Sequence, residues 1–151
     1  MPQGDWSEGD FERISWHDNH VHALRILPGD HGLGEFALDL DHILEWRRVG
    51  EAMRFLVVPA TLRFRAVSAL RIALDYAAAS AALGPFSIDA IERRDEPRER
   101  HVAQLWRIAV NWPPGEIAFE ASGFEQRARG TPVLSELQHL LPAERLDAAP
   151  F

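Results

Sequence analysis

Residues 55–74 read Phe-Leu-Val-Val-Pro-Ala-Thr-Leu-Arg-Phe-Arg-Ala-Val-Ser-Ala-Leu-Arg-Ile-Ala-Leu, the longest apolar, β-branched and aromatic stretch of the chain. Within it, Leu62 and Phe64 alternate with Arg63 and Arg65, which is the period-two pattern of a strand with one buried face. We therefore predict a central core strand here. The strand identifies a core and points to no activity by itself.

The two ends of this stretch are less regular. Pro59 cannot donate a ladder hydrogen bond, so it should mark an edge, a bulge or a junction between strands. Residues 67–83 fit a strand, because Leu70, Ile72 and Leu74 alternate with polar or small residues. They also fit a helix, whose stripe would be Leu70, Leu74, Ala77, Ala78 and Ala81 and which the alanine content favours. We prefer a strand over about 69–75, followed by an Ala-rich connection that holds at most a helical turn.

A first hairpin is expected before the central strand. A strand over 20–27 leads into Pro28-Gly29-Asp30-His31-Gly32, a cluster of turn-forming residues, and a second strand follows at 36–41. The segment 43–50 is left open between strand, loop and helical turn.

A second hairpin is expected near the C-terminus. Apolar residues alternate over 106–112 and again over 117–121, on either side of Pro113-Pro114-Gly115-Glu116. We expect Trp112 to lie opposite Ile117 and Val110 opposite Phe119. The charged run 93–100 is expected to be a solvated loop, and 134–141 could form one short helix.

About eight strands with short connections indicate an all-β, mainly antiparallel fold. We predict a single-domain β-sandwich or half-open barrel with at most one or two short helices. A chain of 151 residues is long enough for one hydrophobic core. The expected organisation is a flexible N-terminal tail over 1–10, one β-rich domain over 11–142 and a C-terminal tail over 143–151.

Composition excludes several classes of chemistry. The chain has no cysteine, which removes disulfides, thiolate nucleophiles and Cys-based zinc sites. It also has no lysine, which removes Schiff-base chemistry and a Walker lysine. The formal net charge of −7 argues against nucleic acid and favours a basic protein partner.

Two further expectations concern location and assembly. The apolar runs are shorter than the roughly 20 residues that span a bilayer, so we expect no membrane insertion. Met1-Pro2-Gln3-Gly4-Asp5 lacks the basic start and apolar centre of a signal peptide, which predicts a cytoplasmic protein. An exposed edge strand would also allow a homo-oligomer.

The one constellation that could carry chemistry lies on the first hairpin. His20 and His22 share one face of their strand, and Asp39 and Asp41 share one face of the next. If paired positions sum to 61, His20 faces Asp41 and His22 faces Asp39. That arrangement would suit a zinc or iron ion, or acid-base chemistry.

The apolar residues of the same hairpin favour another register. If paired positions sum to 62, Leu24 faces Leu38 and Ile26 faces Phe36, giving one coherent buried face, and the aspartates point to solvent. The histidines would then be partly buried and hydrogen-bonded. We prefer this register without excluding the first, and we predict no catalytic residue, no metal ligand and no cofactor.

Four groups of short motifs stand out along the chain. They are Trp16-His17-Asp18, Leu38-Asp39-Leu40-Asp41, Pro59-Ala60-Thr61-Leu62 with Phe64, Val67 and Leu70, and Ile117, Phe119, Ala121, Gly123-Phe124 and Gln126. Together they resemble a family of small uncharacterised bacterial all-β proteins. The resemblance spans roughly 14–140, supports a single β domain, and implies no activity and no catalytic residue. There is also a similarity to bacterial toxin-immunity proteins, which are small, acidic and single-domain.

Three functions follow as hypotheses. The leading one is a non-enzymatic cytoplasmic interaction domain, immunity-like or accessory, that binds a basic partner through carboxylates expected to be exposed at Asp39, Asp41, Glu116 and Glu120. The second is a small metal-dependent or His/Asp enzyme built on the first hairpin. The third is a barrel or sandwich interior that holds an apolar small ligand.

Overall fold

The computed structural model describes residues 5–78 and 81–145 of the chain. These residues form one antiparallel sheet of nine strands together with three short 3₁₀ turns, which confirms the all-β fold. The turns are Glu8–Arg13, Asp30–Gly32 and Pro142–Arg145. The strands are β1 (Trp6–Ser7), β2 (His20–Pro28), β3 (Gly34–Val49), β4 (Ala52–Leu74), β5 (Phe86–Pro97), β6 (Val102–Trp112), β7 (Gly115–Glu120), β8 (Gly123–Ala128) and β9 (Val133–Ser135).

The central stretch of the sequence forms β4, which is 23 residues long. Leu62 and Phe64 are fully buried, and Arg63 and Arg65 are half-buried. The alternation ends at Ala66, which has a positive φ of 52° and is exposed. The strand continues to Leu74, so the ambiguous segment after residue 67 is a strand over its first part.

Pro59 lies inside β4 at a junction between partners, as expected. Its carbonyl accepts a hydrogen bond from the Arg129 amide, on the edge where pairing with β8 stops and pairing with β9 begins. The N–H and C=O of one strand residue point to the same side, so the missing N–H of the proline interrupts no ladder.

The sheet closes on itself through β4. One edge of β4 pairs with β3, and its last residues pair on the other edge with β7. The order β4-β3-β2-β5-β6-β7 then returns to β4 and forms a ring, with β8, β9 and β1 continuing off β4. The ring is weakest between β2 and β5, where His20 and Val21 are the paired residues of β2 among those described.

Apolar side chains from all six strands of the ring fill its interior. Phe64 lies at the centre of an aromatic group, with its ring centroid 4.7 Å from that of Phe119 and 5.2 Å from that of Trp106. A second, smaller core of Ile43, Phe55, Val57 and Leu140 lies under the C-terminal part of the chain.

The second hairpin has a register that differs from the expected one. Trp106 pairs with Phe119 and Ile108 with Ile117, a shift of four residues. The expected register was wrong because pairing already starts at Gly115, inside the predicted turn. An even shift keeps the same side chains on the inner face, so the buried face was still identified correctly.

The charged run after residue 93 is also corrected. Residues up to Pro97 continue β5 and pair with β6, so the loop is limited to the next few residues. The charged side chains are compatible with a strand here because this part of β5 is mostly exposed. Arg93 is partly buried, and its guanidinium lies 4.6 Å from the centre of the Phe11 ring.

Both expected tails contain ordered structure. Trp6 and Ser7 pair with β8, and a 3₁₀ turn follows, because Phe11 packs against the aromatic core. Near the other end, β9 and a 3₁₀ turn replace the expected short helix. Residues 1–4 and 146–151, which belong to the two expected tails, lie outside the described residues.

Candidate functional site

The first hairpin contains both of the registers that the sequence left open. His20 pairs with Asp41, which corresponds to a sum of 61, and Leu24 pairs with Leu38, which corresponds to a sum of 62. The change occurs between Val21 and Ala23, so a β-bulge at His22 joins the two registers. The bulge allows both histidines to approach the carboxylates of β3.

Asp39 is occupied by hydrogen-bond donors rather than free for a ligand. The guanidinium of Arg25 binds both of its carboxylate oxygens, and the hydroxyl of Thr61 donates to Oδ1 at 2.8 Å. Its side chain is 21% exposed. The expectation that Asp39 presents a free carboxylate to a partner is therefore wrong.

Asp41 is fully buried, which also differs from the expectation that it faces solvent. Arg145 donates to both carboxylate oxygens, at 2.9 and 3.0 Å, and the Leu140 amide donates to Oδ2 at 3.0 Å. His22 Nε2 lies 3.8 Å from Oδ1. The cover comes from residues 136–145, here called the C-terminal segment, whose Leu140 is itself fully buried.

The surroundings of the two histidines of β2 disfavour their charged forms. His20 Nδ1 donates to the carbonyl of Asp18 at 3.0 Å, and its ring lies 4.6 Å from that of His139. Burial, and then the neighbouring His139, lower the pKa of His20. Burial, and then the positive charge of Arg145, lower the pKa of His22.

These side chains form a structural ion-pair network, here called the Asp41 cluster, which comprises His20, His22, Asp41, His139 and Arg145. The carboxylate oxygens of Asp41 already accept three hydrogen bonds, so a metal ion would have to displace Arg145. Over residues 5–78 and 81–145, no three His, Asp or Glu side chains are arranged to hold a metal ion.

The enzyme hypothesis for this hairpin remains a prediction. It is tested by elemental analysis of untagged protein, before and after His20 and His22 are both changed to Ala. A stoichiometric metal that is lost in this variant would support it.

A second polar group lies beside the Asp41 cluster and was not identified from the sequence. Asn19 is fully buried, donates to His42 Nδ1 at 2.7 Å and accepts the Ile43 amide at 3.2 Å. Asp18, at a φ of 63°, accepts from the side chains of Asn111 and Gln138. These contacts join distant parts of the chain, so no local spacing could reveal them.

The other end of β2 carries exposed apolar side chains. Leu24 and Ile26 share a face with the buried Leu38 and Phe36, yet they are 36% and 63% exposed. The expected fully buried face is therefore wrong for β2, because the strand next to it in the ring, β5, begins at Phe86 and does not cover residues 22–28.

Other apolar residues surround this gap. We call the group the apolar mouth. It lies at the opening of the ring where β5 does not cover β2, and the last residues of β4 form the opposite side of this opening. Two cavities of about 440 and 360 Å³ lie at the mouth, both of them bordered by β2 and β4. The apolar mouth comprises the exposed Ile72, which lies between Leu70 and Leu74 on β4, and six residues that line the cavities, Leu24, Ile26, Leu33, Leu70, Leu74 and Leu83.

The apolar mouth was not predicted because each of its residues reads as a core residue. Ile72 pairs with the fully buried Ile117 and is still 40% exposed. The gap itself depends on how the ring closes.

Comparisons with known proteins add no identification. No family model matches the sequence, and no curated protein matches it at a significant level. The fold and the two sites thus define the class only as a half-open, antiparallel β-barrel. Within residues 5–78 and 81–145, no helix has the length and apolar character needed to cross a lipid bilayer.

Proposed function

We propose that this chain is a non-enzymatic protein-interaction domain whose partner is a basic protein. The single observation that carries the proposal is the apolar mouth. Five of its large apolar side chains, Leu24, Ile26, Leu33, Ile72 and Leu83, are between 36% and 90% exposed. Contiguous exposed apolar side chains bordered by polar residues are typical of protein-protein interfaces.

The charge of the chain supports a basic partner. The net charge is −7, and the carboxylates next to the apolar mouth include Asp30 and Asp75. Both residues are exposed, and neither forms an ion pair with any residue that the structure describes. Complementary charge at the rim of an interface raises the association rate and selects among partners.

The carboxylates first expected to bind the partner do not support the proposal. Asp39 and Asp41 are held by arginines, Glu116 is paired with Arg107, and Glu120 lies 3.3 Å from Arg98. The proposed partner-binding surface is therefore the apolar mouth and not the aspartates of the first hairpin. It includes a cytoplasmic location, which fractionation of the native host would test.

The test is capture of partners from a lysate of the native host at low and at high salt. We expect wild-type protein to retain basic proteins at low salt, identified by mass spectrometry, and to release them at high salt. Ile26→Asp should reduce capture at least tenfold, because it places a charge in the apolar mouth.

The matched control is Val102→Asp, because Val102 is 58% exposed and lies outside the apolar mouth. This variant should capture the same proteins as the wild type. A wild-type protein that remains alone at low salt would contradict the proposed function.

A small apolar ligand is a second candidate, supported by the cavity of about 440 Å³ between β2 and Leu83. Tyr76 and Phe86 also line this cavity, whose walls are mainly apolar. Native mass spectrometry of protein purified from its host distinguishes the two candidates. A bound small molecule that is lost on Leu24→Asp would favour the ligand.

A further inference from the structure

We infer that the free edge of β2, over residues 23–27, binds an extended segment of the basic partner by strand addition. The inference rests on the proposed function and names the binding mode and the chemistry of the bound segment. That segment has apolar side chains at alternate positions and Lys or Arg at its ends.

The backbone of β2 is paired on one side along most of its length. Residues 23–28 pair with β3, and on the other side pairing with β5 stops at Val21 within the described chain. About half of the backbone N–H and C=O groups of 23–27 therefore point away from β3. Such an edge is a template for one more strand.

The free edge has defined limits. The β-bulge at His22 interrupts regular pairing at one end, and Pro28, which has no N–H, ends the strand at the other. Five residues lie between these limits. A strand of about five residues is a common length in β-sheets, so the edge can hold one complete short strand.

The features that protect natural edge strands are confined to the two limits of this edge. Such strands are often protected by short length, proline, β-bulges, inward-pointing charges or lysines, and here the bulge at His22 and Pro28 stand at the two ends. Here Leu24 and Ile26 point toward the ring interior, and Arg25 is paired with Asp39 on the opposite face. An apolar edge between these limits is consistent with a strand that is covered in the functional complex.

The apolar mouth provides positions for the side chains of an added strand. The 440 Å³ cavity borders the start of the edge at Ala23 and Leu24, and the 360 Å³ cavity borders its end at Ile26 and Leu27. Alternate side chains of an added strand point to the same face, so two neighbours on that face can reach one cavity each.

The charges near the edge favour a basic segment over a second copy of this chain. Among the residues that the structure describes, none forms an ion pair with the exposed carboxylates of Asp30 and Asp75, whereas Arg25 and Arg63 lie against Asp39 and Glu35. A second copy would bring a further net charge of −7 to the same place. A segment with Lys or Arg at its ends neutralises both carboxylates.

The test uses a displayed library of random 12-residue peptides selected on the whole protein. We expect enriched peptides to carry net positive charge and apolar residues at alternate positions. A selected peptide should lose at least tenfold in affinity toward Ile26→Asp and should keep its affinity toward Val102→Asp. It should protect the amides of 23–27 from hydrogen exchange.

Two further variants separate backbone pairing from side-chain contact and from charge. In the first variant, the peptide carries N-methyl groups in place of the backbone N–H groups that would point toward β2. This peptide keeps its side chains but cannot donate hydrogen bonds to β2, so it should lose at least tenfold in affinity. The pair Asp30→Asn and Asp75→Asn should weaken binding severalfold and reduce its dependence on salt.

Several outcomes would overturn the inference. These are enriched peptides with helical spacing or net negative charge, no enrichment above background, or equal binding to Ile26→Asp. A dimer of the free protein that dissociates on Ile26→Asp would assign the edge to a second copy. If Ile26→Asp reduces the capture of host proteins but the captured partner does not protect the amides of 23–27 from hydrogen exchange, the inference fails while the proposed function stands.

Discussion

The solvent exposure of a side chain in this protein depends on which segment of the chain covers it. Asp39 and Asp41 occupy equivalent positions along β3, yet one is partly exposed and the other is fully buried beneath the C-terminal segment. Each carboxylate is bound by an arginine through two nitrogen atoms, the geometry that makes an arginine-carboxylate pair strong and specific.

Phe64 should make one of the largest single contributions to the core. Its side chain is fully buried against the Trp106 and Phe119 rings, so Phe64→Ala should lower the free energy of unfolding by about 3–5 kcal/mol. Arg65→Gln is the control, because Arg65 faces outward and its ion pair with Glu8 is largely exposed.

Chemical denaturation of both variants measures the difference. Arg65→Gln should change the free energy of unfolding by under about 1 kcal/mol. Arg63 lies at the outward position on the other side of Phe64, where its ion pair with Glu35 is half-buried, so Arg63→Gln should cost more than Arg65→Gln but less than Phe64→Ala. If an arginine replacement is as damaging as Phe64→Ala, the inner and outer faces of β4 have been assigned incorrectly.

His42 should make the fold sensitive to acid. Burial lowers the pKa of His42 to about 4 from 6.5, and its Nδ1 already accepts a hydrogen bond from Asn19. The unfolded chain therefore binds the proton more tightly. The contribution of His42 to stability is complete above pH 6.5 and is lost as the pH falls toward 4. The total loss is about 3 kcal/mol.

Urea unfolding across this pH range measures the effect. Carboxylates also contribute to acid sensitivity, so the relevant quantity is the difference between wild type and His42→Gln, whose stability should depend less on pH. His31→Gln, at an exposed position, should match the wild-type dependence. An unchanged pH dependence in His42→Gln would show that another group is responsible.

At the scale of elements, the burial of β3 depends on the C-terminal segment, which is not part of the first hairpin. The C-terminal segment covers β3 through Arg145 and Leu140, both of which contact Asp41. Because β3 and this segment are distant in sequence, the contact closes a long loop. The local pattern of β3 predicts that Asp41 faces solvent. The residues around Asp41 in the sequence contain no information about the distant segment that buries it.

Removing one partner of this buried pair should be costly. Arg145→Gln leaves the Asp41 carboxylate buried without its cation, so we expect a loss of about 3–5 kcal/mol in the free energy of unfolding. The double variant Asp41→Asn with Arg145→Gln should lose less, because no unpaired charge remains.

Arg54→Gln serves as the matched control for this prediction. Arg54 pairs with Glu136, which is 79% exposed, so its loss should change stability by under about 1 kcal/mol. Denaturation of all three variants decides the result. Equal effects of Arg54→Gln and Arg145→Gln would contradict a structural role for the Asp41 cluster.

The whole molecule is organised by the length of β4. This strand pairs with β3 on one edge and with β9, β8 and β7 in succession on the other. The ring that results is well paired everywhere except between β2 and β5. The apolar mouth and the free edge of β2 are both consequences of that one short pairing, so the proposed function depends on how the ring closes.

Much of the architecture followed from periodicity in the sequence. The alternation of Leu62 and Phe64 with arginines predicted the core strand, and the turn cluster at residues 28–32 predicted the first hairpin. The second hairpin was predicted with the correct inner face but a register four residues away from the observed one. Period-two patterns define a face, and an even shift leaves that face unchanged.

The candidate sites were harder to predict because they combine distant residues. His20, His22, Asp39 and Asp41 do lie on one hairpin, as their spacing suggested, but Arg25 and Arg145 bind the carboxylates. Nothing in the spacing of Asp41 indicates that a residue 104 positions away would reach it.

The sequence by itself determined the all-β class, the central strand and the exclusion of cysteine and lysine chemistry, because these depend on composition and on patterns within a few residues. The tertiary structure alone decided that Asp41 is buried and that Ile26 is exposed. Both outcomes depend on whether a distant segment covers the strand. The free energy that decides this packing is a sum of contacts over the whole ring, which no short stretch of sequence contains.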